Sequence, residues 1–209
     1  MIERIVVGSR NEKKKDELLR LVQPLGIKVL SLDDCPNALV VIEDGTTFAE
    51  NAAKKASQQA RHLGEWVLAD DSGLCVDALG GAPGVLSAYY AGPNATDEQN
   101  NERLLEALRD VPDEKRTAHY VCHLALADPS GAVRLSCEET CSGRITRQPR
   151  GSHGFGYDPL FEIPEYRRTF GELGEPAKSV LSHRGRAMRT LLRQLRHLLA
   201  EEGHGEQKK

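Results

Sequence analysis

Ile2–Leu30 reads IERIVVGSRNEKKKDELLRLVQPLGIKVL, and the architecture follows from it. Ile2 to Val7 reads as a buried strand, with Ile5, Val6 and Val7 as its apolar end. Gly8-Ser9-Arg10-Asn11 interrupts it with a polar turn, and from Glu12 to Gln23 the apolar positions Leu18, Leu19 and Val22 fall at helical spacing. Pro24 and Gly26 stop that helix, and Ile27 to Leu30 form a second strand. A β-loop-α-β opening with a helical crossover predicts that the two strands pair in parallel.

The same signals continue downstream. Phe48, Ala52, Ala56 and Ala60 line the inner side of a helix predicted from Thr47 to His62, with Thr46 or Thr47 as N-cap and Glu50 placed for a capping box. Trp66 to Ala69 is a short strand ending in Asp70-Asp71-Ser72-Gly73. Val76 to Gly92 is rich in Gly and Ala, with a turn at Pro83-Gly84. Thr96 caps a helix to Arg109, supported by Asp97 and Glu98 in its first turn. Tyr120–Ala127, Ala132–Glu138 and Ser142–Ile145 read as three antiparallel strands, the first two joined through Asp128-Pro129-Ser130-Gly131. The last helix runs from Gly185 to Ala200 with Met188, Leu191, Leu192, Leu195, Leu198 and Leu199 at helical spacing, and residues 201–209 read as a flexible polar tail. This order of elements is that of an α/β protein with a central mixed β-sheet flanked by helices.

Composition narrows the function classes. With 209 residues, a net charge of −3 and 28% charged residues, the chain lacks the basic excess that marks a nucleic-acid binder. No run approaches the roughly 20 apolar residues of a membrane span. The strand-like start with no signal peptide in front of it leads to the expectation of a cytoplasmic protein. Cys35, Cys75, Cys122, Cys137 and Cys141 are odd in number and scattered, which suits reduced cysteines rather than a disulfide framework. Ser87 lies in GVLSA, which is no nucleophile elbow, and no serine or cysteine triad is evident.

Four stretches carry residue types suited to chemistry. Gly8 to Glu17 places a polar turn and the positive end of a helix dipole at one point, and Lys13, Lys14 and Lys15 there oppose the dipole unless an anion offsets them. A solvated basic helix start would read the same way. Glu43, Asp44, Glu50, Asp70 and Asp71 are hard oxygen donors of the kind Mg²⁺ takes, although neighbouring aspartates on an extended segment point to opposite sides. In Gly154-Phe155-Gly156-Tyr157-Asp158-Pro159, two glycines let the backbone approach a flat ligand while the ring stacks on it; a tight turn with inward aromatics is the alternative. Ser182-His183-Arg184-Gly185 brings a histidine and an arginine to a helix start, suited to an anion or a purine face.

Together these stretches resemble the inosine/xanthosine triphosphate pyrophosphatase family. The motifs are SRNEKK (Ser9–Lys14), TFAENA (Thr47–Ala52) with Lys55-Ala56, ADDSGLCVDALGGAPGV (Ala69–Val85) continued by SAYYAG (Ser87–Gly92), GFGYDP (Gly154–Pro159) and KSVLSHRG (Lys178–Gly185). The resemblance implies a single domain over residues 1–200, with two lobes around a deep nucleotide-binding cleft, usually as a homodimer. It implies Mg²⁺-dependent hydrolysis of ITP, dITP or XTP to the monophosphate and pyrophosphate. Its substrate-binding residues map onto Ser9, Arg10, Asn11, Glu12, Lys13 and Lys14 for the triphosphate. Ser72 is a further substrate contact, and Phe155, Gly156, Tyr157, Asp158, Lys178, His183 and Arg184 form the nucleotide pocket. Asp71 is implied as metal ligand and as acceptor of the water proton, with Glu43 as second metal carboxylate and Glu50 as its alternative. Two positions depart from the family pattern: Arg10 replaces the glycine of Ser/Thr-Gly-Asn, and Tyr89 replaces the arginine of SARY. A pyrophosphatase for other modified nucleotides, a non-catalytic nucleotide sensor and a nucleic-acid-binding protein are the rival readings.

Overall fold

Ile5, Val6 and Val7 are withdrawn from solvent in strand β1 (Arg4–Val7), as an apolar run between two neighbours requires. The structure, a computed structural model, describes residues 2–22 and 26–205, with side chains over 2–20 and 26–198. β1 lies between β2 (Lys28–Ser31) and β3 (Trp66–Val76) and is parallel to both, Val6 standing opposite Leu30 on one side and Val67 on the other. Helix α1 (Glu12–Val22) is the crossover, so the parallel pairing expected of the opening holds. Gln23 and the stop at Pro24 lie outside the described residues. Gly8 ends β1 by donating its N–H to Leu68 O at 2.7 Å, and a Cβ there would come within 2.9 Å of Val67.

Helix α2 (Phe48–Leu63) begins at Thr47, whose hydroxyl accepts from Glu50 N while the Glu50 carboxylate accepts from Thr47 N. Such a capping box contributes about 1 kcal/mol to the start of the helix. Ala52, Ala56 and Ala60 are fully buried against Val6, Val67, Ala69 and Ala125; side chains this small let the helix lie close to the strands. Helix α3 (Asp97–Ala107) is capped by Thr96 as expected, its carboxamide partner being Gln99.

The sheet has seven strands in the order β2-β1-β3-β4-β5-β6-β7, completed by β4 (Thr117–Ala127), β5 (Val133–Ile145), β6 (Phe161–Ile163) and β7 (Arg168–Thr169). The turn Asp128–Ala132 is too short for a crossover, so β4 and β5 are antiparallel. β5–β6 and β6–β7 are antiparallel as well, with Ile145 opposite Phe161 and Ile163 opposite Arg168. The sheet is therefore mixed.

Four expectations need correction. β3 does not stop at Ala69 but continues through Asp70 and Asp71 to Val76, so the two acids sit inside a strand. The segments expected as two strands, Ala132–Glu138 and Ser142–Ile145, are one strand. Cys137, Cys141, Gly143 and Ile145 keep the inner face buried, while polar residues on the other face hide that continuity from a hydropathy reading. Helix α4 (Phe170–Leu181) was not foreseen, because Gly174 (φ 76°) and Pro176 interrupt its pattern; Thr169 and Glu172 cap it. The final helix α5 (His183–Gly205) starts two residues before Gly185 and runs past Ala200, and residues 206–209 lie outside the described residues.

The chain divides into two compact units. The first comprises Met1–Asp71, His123–Glu138 and Arg186–Lys209; the second comprises Ser72–Cys122 and Glu139–Gly185. The second has its own core, in which Leu74, Leu104, Leu108, Tyr120, Ile145, Leu160, Phe161 and Phe170 pack together.

Candidate active site

In the first unit, the acids of β3 meet lysines from two helices. Asp71, 6% exposed, accepts from Lys55 Nζ at 3.0 Å and from Asn51 Nδ2 at 3.2 Å. Asn51 and Lys55 are one helical turn apart on α2, which is why both reach the same carboxylate. Lys55 Nζ also donates to Glu43 Oε2 at 2.7 Å, so two carboxylates converge on one ammonium. Asn51 Oδ1 accepts from Gly45 N at 2.8 Å, which ties the segment carrying Glu43 to α2. Alternation along β3 turns Asp70 to the other side, where Lys14 Nζ lies 3.8 Å from it.

Burial pushes the Asp71 carboxyl above the ordinary aspartate range; Lys55 and Lys14 counteract this and Glu43 adds to it. Burial disfavours the Lys55 ammonium, but Asp71, Asp70 and Glu43 outweigh it and hold the lysine protonated above its ordinary value. The donor set fits Mg²⁺, which takes one or two carboxylates and completes its shell with water and phosphate. Glu43 and Asp71, which share Lys55, are the two carboxylates that could hold it. Glu50 turns its Oε2 to the cap of α2 instead, accepting from Thr46 N at 2.7 Å and Thr46 Oγ1 at 2.9 Å.

The turn before α1 holds the residues expected to meet an anion. Asn11 caps the helix, accepting from Lys14 N at 3.1 Å, and Ser9 is buried beside it in the chain. Glu12 and Lys13 are exposed, and Lys15 is committed to Asp33 and Glu12. Arg10 takes no left-handed backbone angle. Its guanidinium donates to Ala38 O and Leu39 O at 3.0 and 3.1 Å, where Gln59 also clamps Leu39 through both backbone groups.

The second unit gathers the aromatic and cationic residues. Asp158 accepts from Lys178 Nζ at 2.7 Å, with both side chains nearly withdrawn from solvent, and from Phe155 N at 2.8 Å. Lys178 Nζ sits 4.1 Å from the Phe155 ring centroid, and the Arg184 guanidinium carbon is 5.9 Å from it. Arg184, 2% exposed, donates to Ser72 Oγ at 2.8 Å, and His183 stacks on Tyr120 at 4.6 Å. Gly154 has φ 78°, and a Cβ there would fall 2.1 Å from Asp158 Oδ2. Gly156 is gripped by Asp97 and Asn101 through its N–H and carbonyl. Tyr157 is in the core and donates its hydroxyl to Ser87 O at 2.8 Å, which holds the loop in place.

The structure thus brings Glu43 to Asp71, and Ser72, Phe155, Asp158, Lys178 and Arg184 to one another. Sequence reasoning assigned no role to Asn51, Lys55 or Tyr120. The i, i+4 spacing of Asn51 and Lys55 was the available signal; nothing in the sequence singled out Tyr120.

Comparison with known proteins places this site in a family. The Ham1 family model matches residues 5–194. A dITP/XTP pyrophosphatase of Rhodopirellula baltica is 54% identical over 93% of this chain and 94% of its own. One from Desulforamulus reducens is 47% identical over 93% and 96%. Among solved structures, a HAM1 protein from Coxiella burnetii is 41% identical, covering 94% of this chain and 100% of that one, with a TM-score of 0.86. With a family model spanning nearly the whole chain and relatives this similar end to end, this chain belongs to the Ham1 family.

Proposed function

We propose that the chain is a nucleoside triphosphate pyrophosphatase that hydrolyses deaminated purine nucleotides, ITP, dITP and XTP, to the monophosphate and pyrophosphate and so cleanses the nucleotide pool. The observation that carries this reading is the convergence of Glu43 and Asp71 on the single Lys55 ammonium. These two carboxylates would hold Mg²⁺, which when bound would neutralise charge on the phosphates. Asp71 accepts the proton of the water that attacks the α-phosphorus, and Asn51 fixes the orientation of its carboxylate. Lys14, with Ser9, Arg10, Asn11, Glu12 and Lys13 of the turn, receives the triphosphate.

The residues of the second unit take the base. Lys178 covers one face of Phe155, so a purine stacks on the other. Lys178 and Arg184 only donate hydrogen bonds. A 6-oxo acceptor suits them, whereas the 6-amino group of adenine meets donors. Each such mismatch costs about 1–3 kcal/mol, or roughly 10- to 100-fold. Rejection of guanine requires leaving its 2-amino group without a partner, and a closed pocket reinforces that penalty.

A homodimer in the cytoplasm acting on free nucleotides completes this reading; it rests on the family resemblance. No helix among the described residues is long and apolar enough to cross a membrane. The test is a panel of nucleotides with and without Mg²⁺, reporting kcat/KM and the phosphate product. The reading requires pyrophosphate from ITP and XTP. Orthophosphate as product, or ATP and GTP turned over as efficiently as ITP, overturns it. Binding without turnover would mark a sensor instead.

A further inference from the structure

We propose that the second unit carries an additional anion site, built from arginines outside the nucleotide set, that takes a small phosphate-type oxyanion. A cavity of about 330 Å³ is lined by Arg116, Arg144, Arg147 and Arg150, with Asp113 and Glu162 as the acids of its wall. Four arginines thus meet two carboxylates of the wall, Glu172 beyond it being a third acid paired with Arg150. Those carboxylates are already engaged: Glu162 accepts from Arg144 Nε at 2.6 Å and also from Arg150, and Asp113 accepts from Arg147 Nε at 2.6 Å.

Arg116 is left with its charge unmatched. It is 2% exposed, and its three nitrogens donate to backbone carbonyls only, to Leu108 O at 2.7 Å, Ile145 O at 2.9 Å and Thr146 O at 3.1 Å. Among the described residues no carboxylate comes within ion-pair distance of it. A buried cation held by dipoles alone is costly, and an anion arriving beside it relieves that cost. Burial lowers the Arg116 pKa, the nearby Arg147 charge lowers it further, and Asp113 offsets this in part.

Arg150 adds a cation to the wall, although it is also paired: besides Glu162 it faces Glu172, whose Oε2 stands 3.6 Å from Arg150 Nε. The site is preformed, because the carbonyls that anchor Arg116 come from the end of α3 and the end of β5. Its volume lies at the small end of ligand cavities and admits orthophosphate or pyrophosphate. Guanidinium forks match the oxygens of both. Orthophosphate is an ordinary cellular anion and pyrophosphate is the product of the proposed reaction, so the two sources share one chemistry.

The test is calorimetric titration of the full chain with sodium pyrophosphate and sodium orthophosphate at constant ionic strength. The variants are Arg144→Gln/Arg147→Gln, whose side chains are about half exposed, and Lys14→Ala, which weakens the proposed triphosphate turn. Saturable binding that survives Lys14→Ala and weakens at least tenfold in the arginine double variant is expected, with the tighter of the two anions naming the source. In the wild-type protein, pyrophosphate or orthophosphate should also slow modification of Arg147 by phenylglyoxal, read by mass spectrometry, which needs no variant to fold. Binding lost in Lys14→Ala but intact in the double variant, or a response matched by sodium chloride, overturns the proposal. So does absence of protection at Arg147.

Discussion

Lys178→Met isolates the buried ion pair of the second unit. Methionine keeps the length and apolar stem of lysine while removing its charge. Asp158 then retains the Phe155 N–H at 2.8 Å and the Tyr120 hydroxyl at 3.5 Å but loses the cation at 2.7 Å. With the two side chains 4% and 3% exposed, water cannot replace the ammonium. Breaking one side of a buried pair costs about 3–5 kcal/mol. In a chain of this size each kcal/mol moves the Tm by about 2–4 °C, so a fall on the order of 6–20 °C is expected. Lys178→Met/Asp158→Asn removes both charges and should recover at least about 2 kcal/mol relative to the sum of the single variants. Urea unfolding of the four proteins measures the cycle. Turnover of ITP should stay impaired in the double variant if Lys178 contacts the base as proposed; regained stability without regained activity separates the two roles. A single-variant cost under about 1 kcal/mol, as for a solvated pair, would refute the reasoning.

Three further outcomes follow from the geometry. Asp71→Asn should keep the fold and lose at least about 100-fold in kcat in a pyrophosphate-release assay; turnover near that of wild type contradicts its assignment as proton acceptor. Burial raises the pKa of Glu162, but Arg150 and Arg144 outweigh it and hold the carboxyl below its ordinary value of 4.5. A lowered folded-state pKa gives stability that is present above the unfolded value and lost as pH falls through the folded one. The stability gap between wild type and Glu162→Gln should therefore be widest near neutral pH and close on acidification below 4.5; a gap that widens there contradicts the pairing. Gly154→Ala combines a positive φ of 78° with a Cβ 2.1 Å from Asp158 Oδ2, so it should cost about 1–3 kcal/mol and displace Asp158. Wild-type stability and ITP turnover in that variant would show that the loop has another conformation available.

Much of the fold was legible because its signals are local. Thr47 with Glu50, Thr96 ahead of Asp97 and Glu98, and the turn at Asp128–Gly131 each satisfy backbone groups within a few residues, so their chemistry is visible in sequence. The opening β-loop-α-β is legible for the same reason, its apolar positions repeating at strand and helix periods. Elements whose stability comes from partners far along the chain were not. β3 carries two aspartates past the point where hydropathy ends a strand, because Lys14, Asn51 and Lys55 compensate them. α4 breaks its helical backbone at Gly174, and its first turn is anchored by Phe170, fully buried in the core of the second unit.

The candidate site divides along the same line. The residue types, their order and their family were written in five short motifs, since the chemistry of phosphates and purines restricts which side chains can serve. Sequence left Glu50 as the alternative to Glu43 beside Asp71; in the fold Glu50 Oε2 serves the cap of α2 while Glu43 shares Lys55 with Asp71, which favours Glu43 in the proposed site. The burial of Arg116, whose charge meets no carboxylate, likewise depends on carbonyls from Leu108, Ile145 and Thr146. Periodicity and capping act between neighbours in the chain. Burial, charge compensation and the sharing of one ammonium by two acids act between neighbours in space, and only folding makes those neighbours.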